Sequence, residues 1–131
     1  MLKSIAQTAG PANLVEWANL ALKDVKAPVM RVTRIRLEPG QVALEEVVLP
    51  SSHFPGLVAD GEVIPDIAEL AQRYGLSLGR ASERINFIPA PSGVAQHLGI
   101  AEGMGIVKLD RITETTDGEP VEWRVAYAVR T

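Results

Sequence analysis

Arg34 and Arg36 stand two residues apart in "TRIRL", and in an extended chain that spacing points both side chains to one face. No acid lies between them. Two guanidinium groups side by side repel unless an anion joins them, and their planar forks fit a carboxylate or a phosphate. An anion site is therefore favoured over a solvated face at this pair. The lettering recurs later in the chain. A slide of 77 positions carries Arg34 onto Arg111, Ile35 onto Ile112, Glu45 onto Glu122 and Val48 onto Val125 without a gap, and Ala18 onto Ala95. At Arg111 and Glu122 a cross-strand ion pair is the simpler reading, worth less than about 1 kcal/mol if exposed.

Glu83 alternates with Ala81 and Ile85 in "GRASERINFIP", which predicts an inward position on its strand. A buried acid needs a partner, so Glu83 is either half of an ion pair or a ligand contact. His53 and His97 are the only histidines; the first reads as a solvated loop residue, the second as an exposed helical one. Neither has metal-ligand spacing around it, and no metal or cofactor is expected. Ser82 lacks a His–Asp partner, which argues against nucleophilic catalysis. "GIAEGMG" fits neither the dinucleotide nor the P-loop spacing and reads as a helix stop. Arg31, Arg80 and Arg84 are expected on solvated faces, and Trp17 and Trp123 in the core or at a dimer contact.

The composition narrows the function classes. The 131 residues carry a net charge of −3 with no basic run, so the chain by itself is a poor binder of duplex nucleic acid. It has no cysteine, which removes disulfides and thiolate chemistry. The start lacks the apolar core of a signal peptide and no stretch reaches membrane-spanning length. A cytoplasmic protein, without membrane association, is the expectation.

These residues must be held by elements the pattern predicts in order. Residues 1–12 are weakly patterned and are set apart as an N-terminal segment and possible linker remnant; 13–131 form the domain. Asn13 and Glu16 suit a capping box for a helix running to about Val25. "APVMRVTRIRL" and "QVALEEVVLP" make a hairpin around "EPGQ", followed by an ordered loop, "SSHFPGLVADGEV". "PDIAELAQRYG" is a second helix, "GRASERINFIP" a strand, and "PSGVAQHLG" a third helix stopped by Gly99. A second hairpin turns at Asp117-Gly118. The fold class is α+β, mainly an antiparallel sheet with helices, built from two pseudo-repeated helix–hairpin units.

With the hairpins placed, residues 29–127 resemble the UTRA domain, the effector-sensing half of HutC-type regulators in the GntR family. The matching strings are "TRIRL", "ALEEVVLPSSHFPGL", "LAQRYGLSLGRASERI" and "AQHLGIAEGMGIVKLDRITETTDGEPVEW". The resemblance implies a chorismate-lyase-like fold that binds a small metabolite, forms a homodimer and signals to a winged-helix DNA-binding domain, which this chain does not contain. It also implies that the pocket draws on Arg34, Arg36, Glu45 and Glu122, with Phe54 and Tyr127 as lining aromatics. The chain departs from the family pattern at Val47 and Val48, where a tyrosine is common, and at "YAVRT".

The reading is a metabolite sensor and not an enzyme. Arg34 and Arg36 would fix an anionic group, while Glu45, Glu122 and Glu83 would complete the ligand-binding set with Phe54 and Tyr127. The loop would order over the bound effector. The alternative is a chorismate-lyase-like enzyme acting on a small anion; a dimerisation module with a filled core is a third.

Overall fold

β-branched runs and two tight turns organise the chain around one sheet. The computed structural model describes residues 1–131. In chain order it contains β1 (Leu2–Pro11), α1 (Leu14–Asn19), β2 (Pro28–Glu38), β3 (Gln41–Pro50), a 3-10 turn (Ser51–His53), α2 (Ile67–Arg73), β4 (Leu78–Pro89), α3 (Ser92–Leu98), β5 (Gly105–Thr115) and β6 (Pro120–Arg130). The six strands form one sheet in the order β1-β2-β3-β6-β5-β4, and every neighbouring pair is antiparallel. No helix is long and apolar enough to cross a membrane.

The strand order is the repeat made visible. β1-β2-β3 and β4-β5-β6 are two halves that meet where β3 pairs with β6. Each half runs strand, helix, hairpin, with α1 and α3 in equivalent places. The slide of 77 positions that carries Arg34 onto Arg111 also carries β1 onto β4. The N-terminal segment, expected to be weakly patterned, is thus the first strand of the first half. Its period is faint because it lies on the sheet edge, where little of it is buried.

Successive residues of β3 point to opposite faces. Val47 and Leu49 pack with Met30 and Val32 beneath Phe54, Ile64, Ile67 and Leu70, so α2 and the loop before it cover one face. Leu44 packs against Val94, Ala95 and Leu98 of α3, and Val48 against Ala12 and Leu20 beside α1, on the other. The β2–β3 turn needs Gly40 at φ 76°, a conformation glycine adopts without Cβ strain.

The capping box at α1 forms as expected: the Asn13 side chain accepts from Glu16 N–H, and the Glu16 carboxylate accepts from Asn13 N–H. The helix ends at Asn19, however, not near Val25. Burying Leu20 against Val29 and Val48 pulls the backbone out of helical geometry, and Ala21 takes φ 48°. β4 forms where predicted but is exposed along nearly its whole length, because it is the far edge strand. Ile85 and Phe87 are left exposed there.

Candidate functional site

Strand alternation sets Arg34 and Arg36 on the α2 face of β2, and the hairpin register puts Glu45 directly opposite Arg34. The anion that joins the two arginines is this internal carboxylate. Arg34 Nε donates to Glu45 Oε1 at 2.8 Å, and Arg36 Nε donates to Glu45 Oε2 at 2.7 Å. A third guanidinium, that of Arg124 on β6, also donates to Oε2. Burial alone would raise the Glu45 pKa, but the hydrogen bonds from Arg36, Arg124 and Arg34 outweigh it and bring the group to about 2. Those bonds likewise raise the Arg36 pKa against the opposing effect of burial.

The rest of Arg34 is spent on the segment before α2. Its Nη1 donates to the Ile64 carbonyl at 2.8 Å, and its Nη2 to Asp66 Oδ1 at 3.2 Å. Arg36 also donates to both Asp66 oxygens, at 3.3 Å to Oδ2. Arg34 and Glu45 are fully buried, whereas the Arg36 side chain keeps 20% exposure and Asp66 51%. The cluster is therefore closed at the bottom and reachable at its Arg36–Asp66 rim.

The second hairpin builds a looser version. Arg111 Nη2 donates to Glu122 Oε1 at 2.9 Å, so the ion pair expected there is present, and Thr113 Oγ1 donates to the same oxygen at 3.4 Å. Arg111 lies directly opposite Arg124 in the ladder. The Nε atoms of both are buried without a protein hydrogen-bond partner.

Three of the expected positions fall elsewhere. Glu83 is opposite Arg111 in the β4–β5 register but exposed, since no element covers that part of the sheet; the expected burial fails for that reason. Tyr127 sits opposite Leu44, on the α3 face, away from the arginines. Burial, together with nearby Glu46 and Asp110, raises its pKa. Phe54 is a fully buried core residue in edge-to-face contact with Tyr74, ring centroids 5.4 Å apart. Arg31 is not merely solvated: it makes a two-point ion pair with the buried Glu16, with Nε–Oε2 at 2.6 Å. His53 Nε2 lies 3.0 Å from Glu119, and His97 is exposed as expected.

Asp66 and Arg124 were not singled out by the sequence reading. Parity could have found Arg124, which alternates with Glu122 and Ala126 on one strand. Nothing local places Asp66 over the arginines. A surface cleft of about 590 Å³ between the end of α1, His53 and the Gly118–Pro120 turn shares no residue with this cluster.

Comparison with known proteins agrees with this architecture. The model of the UTRA domain family matches residues 10–130. The fold superposes on the ligand-binding domain of a GntR-family regulator from Bordetella bronchiseptica, with TM-score 0.86, 22% identity and coverage of 98% of this chain and 84% of the other. A transcriptional regulator from Streptomyces coelicolor gives TM-score 0.80 at 27% identity, covering 96% and 83%. The effector domain of PhnF from Mycobacterium smegmatis gives 0.84 at 24%, covering 97% and 78%. Against the longer PhnF chain, this chain spans 56% of the other's length. With the family model matched over far more than half of its length, the chain belongs to the UTRA domain family.

Proposed function

We propose that this chain is the small-molecule effector-binding and dimerisation domain of a GntR-family transcriptional regulator of the HutC type, and that it acts by binding rather than by catalysis. The observation that carries the reading is the arginine cluster: three guanidinium groups converge on one buried carboxylate, and Arg36 reaches the surface. Family membership and the effector and ligand-binding domains among its structural neighbours support it. The effector is a small anionic metabolite whose charged group meets Arg36 first. Glu45, fully engaged by arginines, orients them instead of contacting the ligand. Glu122, as deeply buried as Glu45 and taken by Arg111 and Thr113, likewise positions Arg111 instead of meeting the ligand.

DNA contact falls to a winged-helix domain outside this chain, and the cytoplasm is where such a regulator meets its operator. A homodimer completes the reading; the exposed Ile85 and Phe87 on edge strand β4 support it. A ligand moves such a regulator only through its differential affinity for two arrangements, and the loop before α2, tied to Arg34 through Ile64, is the part in contact with the site.

A thermal-shift screen against phosphorylated and carboxylated metabolites tests this, with Arg36→Ala alongside. A specific effector at 100 times its Kd should add roughly 2.7 kcal/mol, a rise of several degrees in a domain of this size. The rise should vanish in Arg36→Ala. Equal shifts in both proteins would move the site elsewhere, with the cleft beside His53 as the next place to look. Turnover of chorismate would replace the sensor with an enzyme.

A further inference from the structure

Asp66 occupies the N-cap position of α2, with φ −60° and ψ 156°, yet its side chain makes no capping hydrogen bond. Aspartate is among the best N-cap residues, and α1 of the same chain is fully capped by Asn13. The missing cap has a visible cause: the Asp66 carboxylate is turned onto Arg34 and Arg36. It is also the most exposed member of the cluster, 51% against 1% for Arg34 and 0% for Glu45. Arg34, Arg36 and Arg124 set three positive charges against Glu45 and Asp66. If Asp66 leaves, three cations face one carboxylate, and two guanidinium forks are left open to an oxyanion.

We infer that Asp66 is an internal competitor for the effector's anionic group: the effector displaces its carboxylate from Arg36 and Arg34, and Asp66 then turns to cap α2. This rests on the effector-site reading above and adds its regulation. The residue has two alternative sets of partners, arginines or helix amides, separated by a side-chain rotation. Because α2 and the loop before it share the core with β2 and β3, exchange of those partners is felt at the element covering the site. The group that displaces Asp66 is a compact oxyanion, carboxylate or phosphate, able to accept from two guanidinium groups.

The test uses the full chain and two simple probes, inorganic phosphate and acetate, titrated at constant ionic strength by calorimetry. Asp66→Asn keeps a good capping residue and removes the competing charge. Glu62→Gln makes the same charge change in the preceding loop at a side chain with no contact to the arginines. Asp66→Asn should bind one of the probes about three- to tenfold more tightly than wild type, the factor expected from losing a half-exposed ion-pair competitor. Glu62→Gln should change affinity by less than about twofold, and Arg36→Ala should abolish binding in either background. The probe that responds separates a phosphate from a carboxylate effector.

Equal affinity in wild type and Asp66→Asn, lost in Arg36→Ala, would overturn the competition while leaving the effector site standing. Absence of binding by every variant would remove the anion site itself. In the wild-type protein, saturation with the responding probe should slow amide exchange at Ala68 as the cap forms, since the Glu69 amide already donates to the Asp66 carbonyl. Unchanged exchange there would overturn the switch even if a variant failed to fold.

Discussion

Arg34 faces Glu45 squarely across β2 and β3, whereas Arg111 faces Arg124 across β5 and β6 and reaches Glu122 only on a diagonal. The two hairpins share Arg34/Arg111, Ile35/Ile112, Glu45/Glu122 and Val48/Val125 at an offset of 77, but Arg36 falls on Thr113 and Val47 on Arg124, and their strands are joined differently. In the first, Glu38 pairs with Gln41 around Pro39-Gly40. In the second, the turn spans Thr115 to Glu119, and the register shifts between Thr113 and Glu114. That moves the ladder by two residues and sets two arginines side by side. The first hairpin then lies under α2 and its loop, where Arg34 and Glu45 are fully buried; in the second Glu122 is just as deeply buried, but its partner Arg111 keeps 22% exposure. Register and residue differences together turn one repeated pair into a closed three-arginine cluster and a simple ion pair exposed only at its arginine.

The comparison breaks hardest at the glutamates. Glu45→Ala leaves buried Arg34 and two further guanidinium groups without their shared carboxylate and should cost about 3–5 kcal/mol in urea unfolding. Glu122→Ala leaves Arg111 able to reach water and should cost about 1–3 kcal/mol. Equal losses would mean that the cover over the first hairpin adds nothing.

Acid should act chiefly on the first cluster. The Glu45 carboxyl has its folded pKa lowered from 4.5 to about 2. The unfolded chain therefore binds the proton more readily, and the stabilisation is complete above about pH 5 and lost as pH falls toward 2, on the order of 2–3 kcal/mol. Asp66 and Glu16, both lowered despite burial by hydrogen bonds from arginines, push the same way. Unfolding followed from pH 5 to pH 2 should show this slope, and Glu45→Gln should flatten it. An unchanged slope in that variant would assign the acid sensitivity elsewhere.

Arg124 belongs to both regions, since it donates to Glu45 and stands opposite Arg111. Arg124→Met removes a favourable contact and a like-charge neighbour together, so a net loss near 1 kcal/mol is expected, well below that of Arg34→Met. A loss matching Arg34→Met would show that the like-charge neighbour carries no cost. Smallest of all, Thr113→Val removes the 3.4 Å hydrogen bond to Glu122 and should cost less than about 1 kcal/mol, with the melting temperature lowered by a few degrees at most. A larger drop would make the second hairpin more tightly built than its geometry indicates.

Much of this fold was legible in the residues. The turns at Gly40 and Gly118, the stop at Gly99 and the capping box of Asn13 and Glu16 are local signals and sit where expected. Two elements escaped local reading. β1 lacks a period because an edge strand buries little, and only the offset that links the hairpins points to it. α1 is shorter than its periodicity suggests because burying Leu20 overrides helical spacing. At the site, Arg111 meets Glu122 as the ion pair the residues suggest, whereas the anion between Arg34 and Arg36 is Glu45 of the same chain, a partner the two-residue spacing does not reveal. Glu83, Tyr127 and Phe54 do not join them, since an uncovered edge, the opposite sheet face and the apolar core claim them in turn.

The sequence by itself determined the strands, the turns and which residues share a strand face, because backbone alternation and glycine turns act over a few residues. Only the tertiary structure decided which distant charges join the arginines. Asp66 reaches Arg36 from 30 positions away and Arg124 reaches Glu45 from 79. Those contacts depend on α2 folding over β2 and on β6 pairing with β3. They turn a pair of arginines with no visible partner into a cluster whose one half-exposed carboxylate stands where a ligand's anion would.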